Sequence, residues 1–123
     1  MKKKLIKTED NIQITVINSA EKFIFDAQSA LDLFMTILCN DGCSSIILNK
    51  EALIDDFFIL STGVAGEILQ KVVNYKMKIV VTGDFSGYTS KPLKDFIYEC
   101  NKGSDVFFVK DEEEAIKKLS AFI

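Results

Sequence analysis

The stretch Phe58-Ile59-Leu60-Ser61-Thr62-Gly63-Val64-Ala65-Gly66-Glu67-Ile68-Leu69 decides the fold. It leaves an apolar segment, crosses two adjacent hydroxyls and a glycine, and enters a helical pattern. Val64, Ala65, Ile68, Leu69, Val72 and Val73 recur at three- and four-residue spacing, while Lys71, Asn74 and Lys76 take the polar side. The helix is expected to begin near Ser61 or Thr62. After it, Ile79-Val80-Val81 is a continuous β-branched run, and before it Ser45-Ile46-Ile47-Leu48 has the same character, the mark of strands buried on both faces. Strand, helix and buried strand in succession make a crossover unit of a parallel sheet. Gly63 and Gly66 each cost about 1 kcal/mol of helix propensity relative to alanine, which predicts that something approaches that backbone closely.

Outward toward the N-terminus, Ile12, Ile14 and Val16 alternate with Gln13, Thr15 and Ile17, the period of a strand with one face more buried than the other. Leu5-Ile6 begins a strand paired to it, with residues 8–11 as the turn. Phe23-Ile24-Phe25 reads as a brief strand or an approach to the next helix. Asp26 stands where an N-cap belongs, and Ala27, Ala30, Leu31, Phe34, Met35 and Leu38 form an apolar stripe that ends at Gly42. Between Asn49 and Ser61 the acidic and aromatic residues lack a clean period, so a loop or single helical turn is expected.

Outward toward the C-terminus, residues 83–90 carry turn chemistry, and Pro92 fits the first turn of a helix striped by Leu93, Phe96, Ile97 and Cys100 and closed by Gly103. Val106-Phe107-Phe108-Val109 is the last strand. Asp111 and Glu114 have capping-box spacing, so the acidic run 111–114 reads as a helix start rather than a site. Ala115, Ile116, Leu119, Phe122 and Ile123 dock that helix. The pattern predicts one α/β domain over residues 1–123, with a mixed, mostly parallel sheet of about four or five strands and about four helices.

Composition excludes several functions. The 123 residues include 15 lysines and no arginine, histidine or tryptophan, with a net charge of -3. Bidentate phosphate or guanine recognition is absent, and no nucleic-acid partner is expected. Histidine-dependent triads and imidazole metal sites are excluded. Cys39, Cys43 and Cys100 are too few thiolates for a closed zinc site without histidine, and fit reduced thiols. The basic start Met1-Lys2-Lys3-Lys4 is followed by Leu5-Ile6 and then by Lys7, Glu9 and Asp10, so no signal-peptide core follows it. No run reaches the length of a membrane span. A cytoplasmic protein without cofactor or metal is expected.

In parallel sheets ligands gather at the carboxyl ends of the strands. That rim is expected to collect Asn49 and Glu51, then Asp84, Ser86, Tyr88 and Ser90, then Lys110, with Ser61 and Thr62 opening toward it. Three chemistries compete there. Glu51, Asp55, Asp56 and Asp84 offer oxygen ligands of the kind magnesium takes, although adjacent aspartates are common solvated surface. The glycines and hydroxyls of 83–90 resemble a phosphate loop but lack its G-x-x-x-x-G-K-[ST] spacing. Ser61 or Cys100 as a nucleophile has no histidine to activate it.

Further readings come from resemblance. Gln28-Ser29-Ala30-Leu31-Asp32-Leu33, Ile47-Leu48-Asn49-Lys50-Glu51, Leu60-Ser61-Thr62-Gly63, Ala65-Gly66-Glu67-Ile68-Leu69-Gln70-Lys71, Gly83-Asp84-Phe85-Ser86 and Lys94-Asp95-Phe96-Ile97-Tyr98-Glu99 with Asn101-Lys102-Gly103 resemble a bacterial family known as the domain of unknown function numbered 4180. The likeness runs through nearly the whole chain and brings no established activity. Phe58-Ile59-Leu60-Ser61-Thr62-Gly63-Val64, with the following helix and Lys78-Ile79-Val80-Val81, is also similar to the anti-sigma-factor antagonist (STAS) domain. In that family an aspartate, two small hydroxyl residues and a glycine open the helix, and a serine there is phosphorylated by a partner kinase. Ser61 and Thr62 match the hydroxyl pair and Gly63 the glycine; Leu60 replaces the aspartate, and the 49–60 connection is longer than usual.

The resemblance implies a STAS-like, non-catalytic regulatory module binding an unidentified protein. Ser61 or Thr62 is its phosphorylation site, or simply the N-cap of the helix. Gly63, Asn49, Glu51, Asp84, Ser86 and Tyr88 form the binding surface. The alternative is a small-ligand binder or enzyme using Glu51, Asp84 and Tyr88, and a homodimer through Phe57 and Phe85 is a further candidate.

Overall fold

The apolar runs assemble into a five-stranded sheet in the order β1-β2-β3-β4-β5, seen in a computed structural model that describes residues 2–9 and 11–121. The elements are β1 (Lys2–Lys7), β2 (Gln13–Asn18), α1 (Ala27–Asp41), β3 (Ser45–Asn49), α2 (Val64–Asn74), β4 (Lys78–Thr82), α3 (Lys91–Lys102), β5 (Val106–Val109) and α4 (Glu112–Ser120). β1 is antiparallel to β2, and the pairs from β2 to β5 are parallel. This is the mixed, mostly parallel α/β architecture expected from the alternation of strands and helices.

Because each parallel strand is added beside the last, right-handed crossovers place α1, α2 and α3 on the same face. Phe34, Ile68, Val72 and Leu93 from these helices pack there against Ile17, Leu48, Val81 and Phe108. α4 lies on the opposite face, where Ala115 and Leu119 meet the cross-strand row Val16, Ile47, Val80 and Phe107. β2 is therefore buried on both faces, with Thr15 at 0 % exposure, and not on one face more than the other. Its expected polar side lies beneath α1, and the Thr15 hydroxyl donates to the Asp41 carboxylate at 3.2 Å.

Local chemistry sets the helix ends. The Asp26 carboxylate accepts from the Ser29 N–H at 2.8 Å, and the Ser29 hydroxyl accepts from the Asp26 N–H at 3.1 Å, a reciprocal capping box. Gly42 ends α1 with φ 61°, in the left-handed region. Ser90 caps α3, with Pro92 in its first turn, and the Asp111 carboxylate accepts from the Glu114 N–H at 3.0 Å. The proposed docking of Phe122 and Ile123 lies outside the described residues.

The connection from β3 to α2 is more structured than a loop or one turn. It contains three successive 3-10 turns, Lys50–Ala52, Asp55–Phe58 and Leu60–Thr62. Phe57 and Phe58 enter the core between them, so Phe57, 2 % exposed, offers no dimer surface. Ile24 forms the lone parallel bridge to Leu53, which makes 23–25 an approach segment pinned to this connection.

Candidate functional site

The carboxyl rim of the sheet is built from the ends of β2, β3 and β4. Asn49, the last residue of β3, closes a two-way clamp on Ser19 just beyond β2. The Ser19 N–H donates to Asn49 Oδ1 at 2.9 Å, and Asn49 Nδ2 donates to the Ser19 carbonyl at 2.6 Å. Asn49 Nδ2 also reaches Glu51 Oε1 at 3.2 Å. Asn49 is thus committed to holding two strand ends together.

The next residue, Lys50, crosses to β4. Its Nζ donates to the Asp84 carbonyl at 2.6 Å, 5.2 Å from the Tyr88 ring centre and 5.8 Å from that of Phe85. A Cβ on Gly83 would stand 2.7 Å from Lys50 Cδ, and φ there is 156°, so glycine suits both the backbone and the passage of the lysine stem. The close approach expected at Gly63 and Gly66 is found instead at Gly83, since nothing lies within 4 Å of a Cβ built at either of the other two.

Asp84 folds the 83–90 loop onto itself. Its Oδ1 accepts from the Ser86 hydroxyl at 2.6 Å and the Ser86 N–H at 2.9 Å. Those two bonds, the hydroxyl's first, lower its pKa below the ordinary carboxylate value. Tyr88 lies on Phe58 with ring centres 4.9 Å apart and planes 15° from parallel. Burial of the phenol, then the charges of Asp55 and Glu51, raise its pKa. Phe85 continues the cluster edge-on to Phe108 at 5.6 Å. Asp84 and Ser86 are exposed, Tyr88 and Phe85 half-buried.

Ser61 and Thr62 do not cap α2. The N-cap is Gly63, with φ 81° and no side chain to offer, because the Leu60–Thr62 turn delays the helix to Val64. Thr62 is drawn backward: its Oγ1 lies 2.7 Å from the Asp56 carbonyl and 2.8 Å from that of Ile59, and it accepts from the Val64 N–H at 3.3 Å. Ser61 is exposed, and its hydroxyl makes no hydrogen bond among the described residues. Beside this turn, an open groove of about 540 Å³ runs along α2, lined by Ala27, Gly63, Gly66, Glu67, Gln70 and Lys71. Phe25 and Ile59, 51 % and 52 % exposed, belong to the segments flanking α1 and α2.

The sequence-predicted residues therefore fall into two groups. Asn49, Glu51, Asp84, Ser86 and Tyr88 lie on the rim, most already engaged with protein partners; Ser61, Thr62 and Gly63 precede α2. Among the described residues no three carboxylates or thiolates gather as a metal would require. Cys100, half-buried in α3, has its thiol pushed up to about 11 by burial and then by Glu99, and Cys43 is buried. The tight core cavity, about 20 Å³, is lined by apolar side chains such as Phe34, Phe57 and Val72. Strand order never reverses across the parallel strands, so the crevice that a topological switch point opens is missing. No helix among the described residues is long and apolar enough to cross a membrane.

Lys50 was not singled out by sequence reasoning. Its signal was Gly83, a glycine directly after a buried strand, where close backbone approach is a standing explanation.

Fold and rim define a small α/β domain with a sequential parallel sheet and a polar, aromatic-backed rim. The chain belongs to the family described as Domain of unknown function (DUF4180), whose model matches residues 9–119. Comparison with curated proteins and with solved structures gives no match.

Proposed function

We propose that this chain is a non-catalytic, cytoplasmic protein-binding module of regulatory type, similar to an anti-sigma-factor antagonist, with its partner surface at the start of α2 and Ser61 as the modulated residue. The observation that carries the reading is the contrast between the two hydroxyls. Thr62 is tied back to the Asp56 and Ile59 carbonyls and accepts from the Val64 N–H, whereas Ser61 is exposed and unengaged in the turn that leads into α2, whose N-cap Gly63 has no side chain. The positive end of the helix favours a phosphate placed near it. The same phosphate adds about two negative charges beside Asp55 and Asp56 and would repel an acidic partner. The groove beside Gly63 and Gly66 supplies the shape component of such a surface, and the exposed Phe25 and Ile59, in the segments before α1 and α2, supply apolar area.

A small-ligand or enzymatic reading at Glu51, Asp84 and Tyr88 has less support. Asp84 is occupied by Ser86 and Tyr88 by Phe58, and Glu51 accepts from Asn49.

Crosslinking in the protein's own cells followed by mass spectrometry tests the proposal. The expected result is a protein partner joined through the Ile59–Lys71 region and phosphate on Ser61, with Ser61→Asp weakening the partner's binding about tenfold, as loss of roughly 1.4 kcal/mol would. Recovery of no partner together with an unmodified intact mass would overturn it.

A further inference from the structure

We infer that Lys50 is a latch: its ammonium holds the 83–90 loop closed over Phe58, and loss of that charge opens the loop without unfolding the sheet. Four observations meet at this residue. The ammonium donates to the Asp84 carbonyl at 2.6 Å, in the loop's first turn. It lies within cation–π reach of Phe85 and Tyr88, at 5.8 and 5.2 Å, so one charge touches both aromatic residues of the loop. The stem passes where Gly83 lacks a Cβ, which leaves room for the lysine to cross from β3 to β4. The loop's other hydrogen bonds include those between Asp84 and Ser86, from the Tyr88 N–H to the Phe85 carbonyl, and from the Gly83 N–H to the Val109 carbonyl at the end of β5, and none of these fastens it to the β3 side.

The remaining ties are aromatic: Tyr88 stacks on Phe58 at 4.9 Å between ring centres, and Phe85 lies 6.3 Å from Phe58 and 5.6 Å from Phe108. Asp84, Ser86, Gly87, Thr89 and Ser90 are exposed, so most of the loop contributes little burial to keep it down. With the ammonium gone, a backbone acceptor and two ring faces lose their cation together, and Tyr88 is left with its ring stacks on Phe58 and Phe85 alone, from which it can lift. Phe58, 8 % exposed beneath the stack, then becomes accessible. It sits two residues before Leu60 and the Leu60–Thr62 turn, so the latch controls apolar surface next to the start of α2. The latch is internal and stands whether or not Ser61 meets a partner.

Amide hydrogen exchange of the full chain tests this with Lys50→Met, which keeps the stem under Gly83 and removes the charge, and Lys50→Arg, which keeps the charge. Lys50→Met is expected to speed exchange of amides 84–90 about tenfold, the scale of one charge-assisted bond with its cation–π contacts, while β3, β4 and α1 remain as protected as in the parent. Lys50→Arg is expected to stay close to the parent. Unchanged loop exchange in Lys50→Met overturns the inference. So does equal acceleration throughout the chain, which would make Lys50 a general stabiliser, and so does release by Lys50→Arg as large as by Lys50→Met.

Discussion

Ser61 and Thr62 are adjacent in the chain and opposite in circumstance. Thr62 Oγ1 bridges the carbonyls of Asp56 and Ile59, joining two 3-10 turns, while Ser61 faces solvent. Thr62→Val should therefore cost about 1–2 kcal/mol, the scale of one or two hydrogen bonds. Ser61→Ala should fall within about 0.5 kcal/mol of the parent. Urea denaturation of the two variants checks the pair, and equal losses would contradict the assignment. The pair itself was legible from sequence because hydroxyls before a helical stripe are a local signal. Which hydroxyl is engaged was not, since the answer depends on carbonyls three and six residues upstream whose direction is set by turns without periodicity. Glycine divides in the same way. Gly42 and Gly63 have φ of 61° and 81°, local demands with open space around them, while Gly83, at φ 156°, also lies against a lysine 33 positions away in sequence.

At the scale of elements, the helices were the most readable. Asp26 and Asp111 each cap a helix through a bond to a residue three positions on, as their spacing indicates, while Ser90, expected on the rim, proves to be the N-cap of α3 through the Leu93 N–H. The 50–63 connection was the least readable, because its three turns exist to carry Phe57 and Phe58 into the core, and burial is not a local property. The rim residue Asn49 shows the same limit: a polar residue at a strand end looks like a ligand contact, yet it serves as a clamp between β2 and β3. Asn49→Ala removes both bonds to Ser19, whose side is 4 % exposed. The expected cost is about 2 kcal/mol, with faster exchange at the carboxyl end of β2. Thermal unfolding with hydrogen exchange measures both, and an unaltered melting temperature would return Asn49 to the list of free surface groups.

For the whole molecule, the two sheet edges matter most. β5 turns its outward groups to α3, where the Phe108 N–H donates to Asn101 Oδ1 at 2.8 Å and Asn101 Nδ2 donates back to the Phe108 carbonyl at 3.2 Å. β1, the other edge, is protected by charge instead: Lys2, Lys3, Lys4 and Lys7 lie along it, with Lys3 paired to Asp41 at 3.1 Å and Lys4 to Glu112 at 3.2 Å. Replacing Lys2, Lys4 and Lys7 by threonine, while leaving Lys3 on Asp41, should make the chain self-associate through β1. Sedimentation velocity over a range of concentrations should show faster-moving species than the parent, and identical profiles would refute the edge argument. The sequence by itself determined the α/β class, the alternation of elements, the caps Asp26 and Asp111 and the absence of histidine- and arginine-dependent chemistry, because these rest on composition and on spacings of a few residues. Tertiary structure alone decided that α2 begins at Val64 behind Gly63, that Asn49 and Thr62 are structural ties, and that Lys50 crosses beneath Gly83 to meet Phe85 and Tyr88. Those outcomes depend on which strand ends become neighbours in the sheet, and strand neighbourhood is set by crossover handedness and shared burial, which no single stretch of the chain contains.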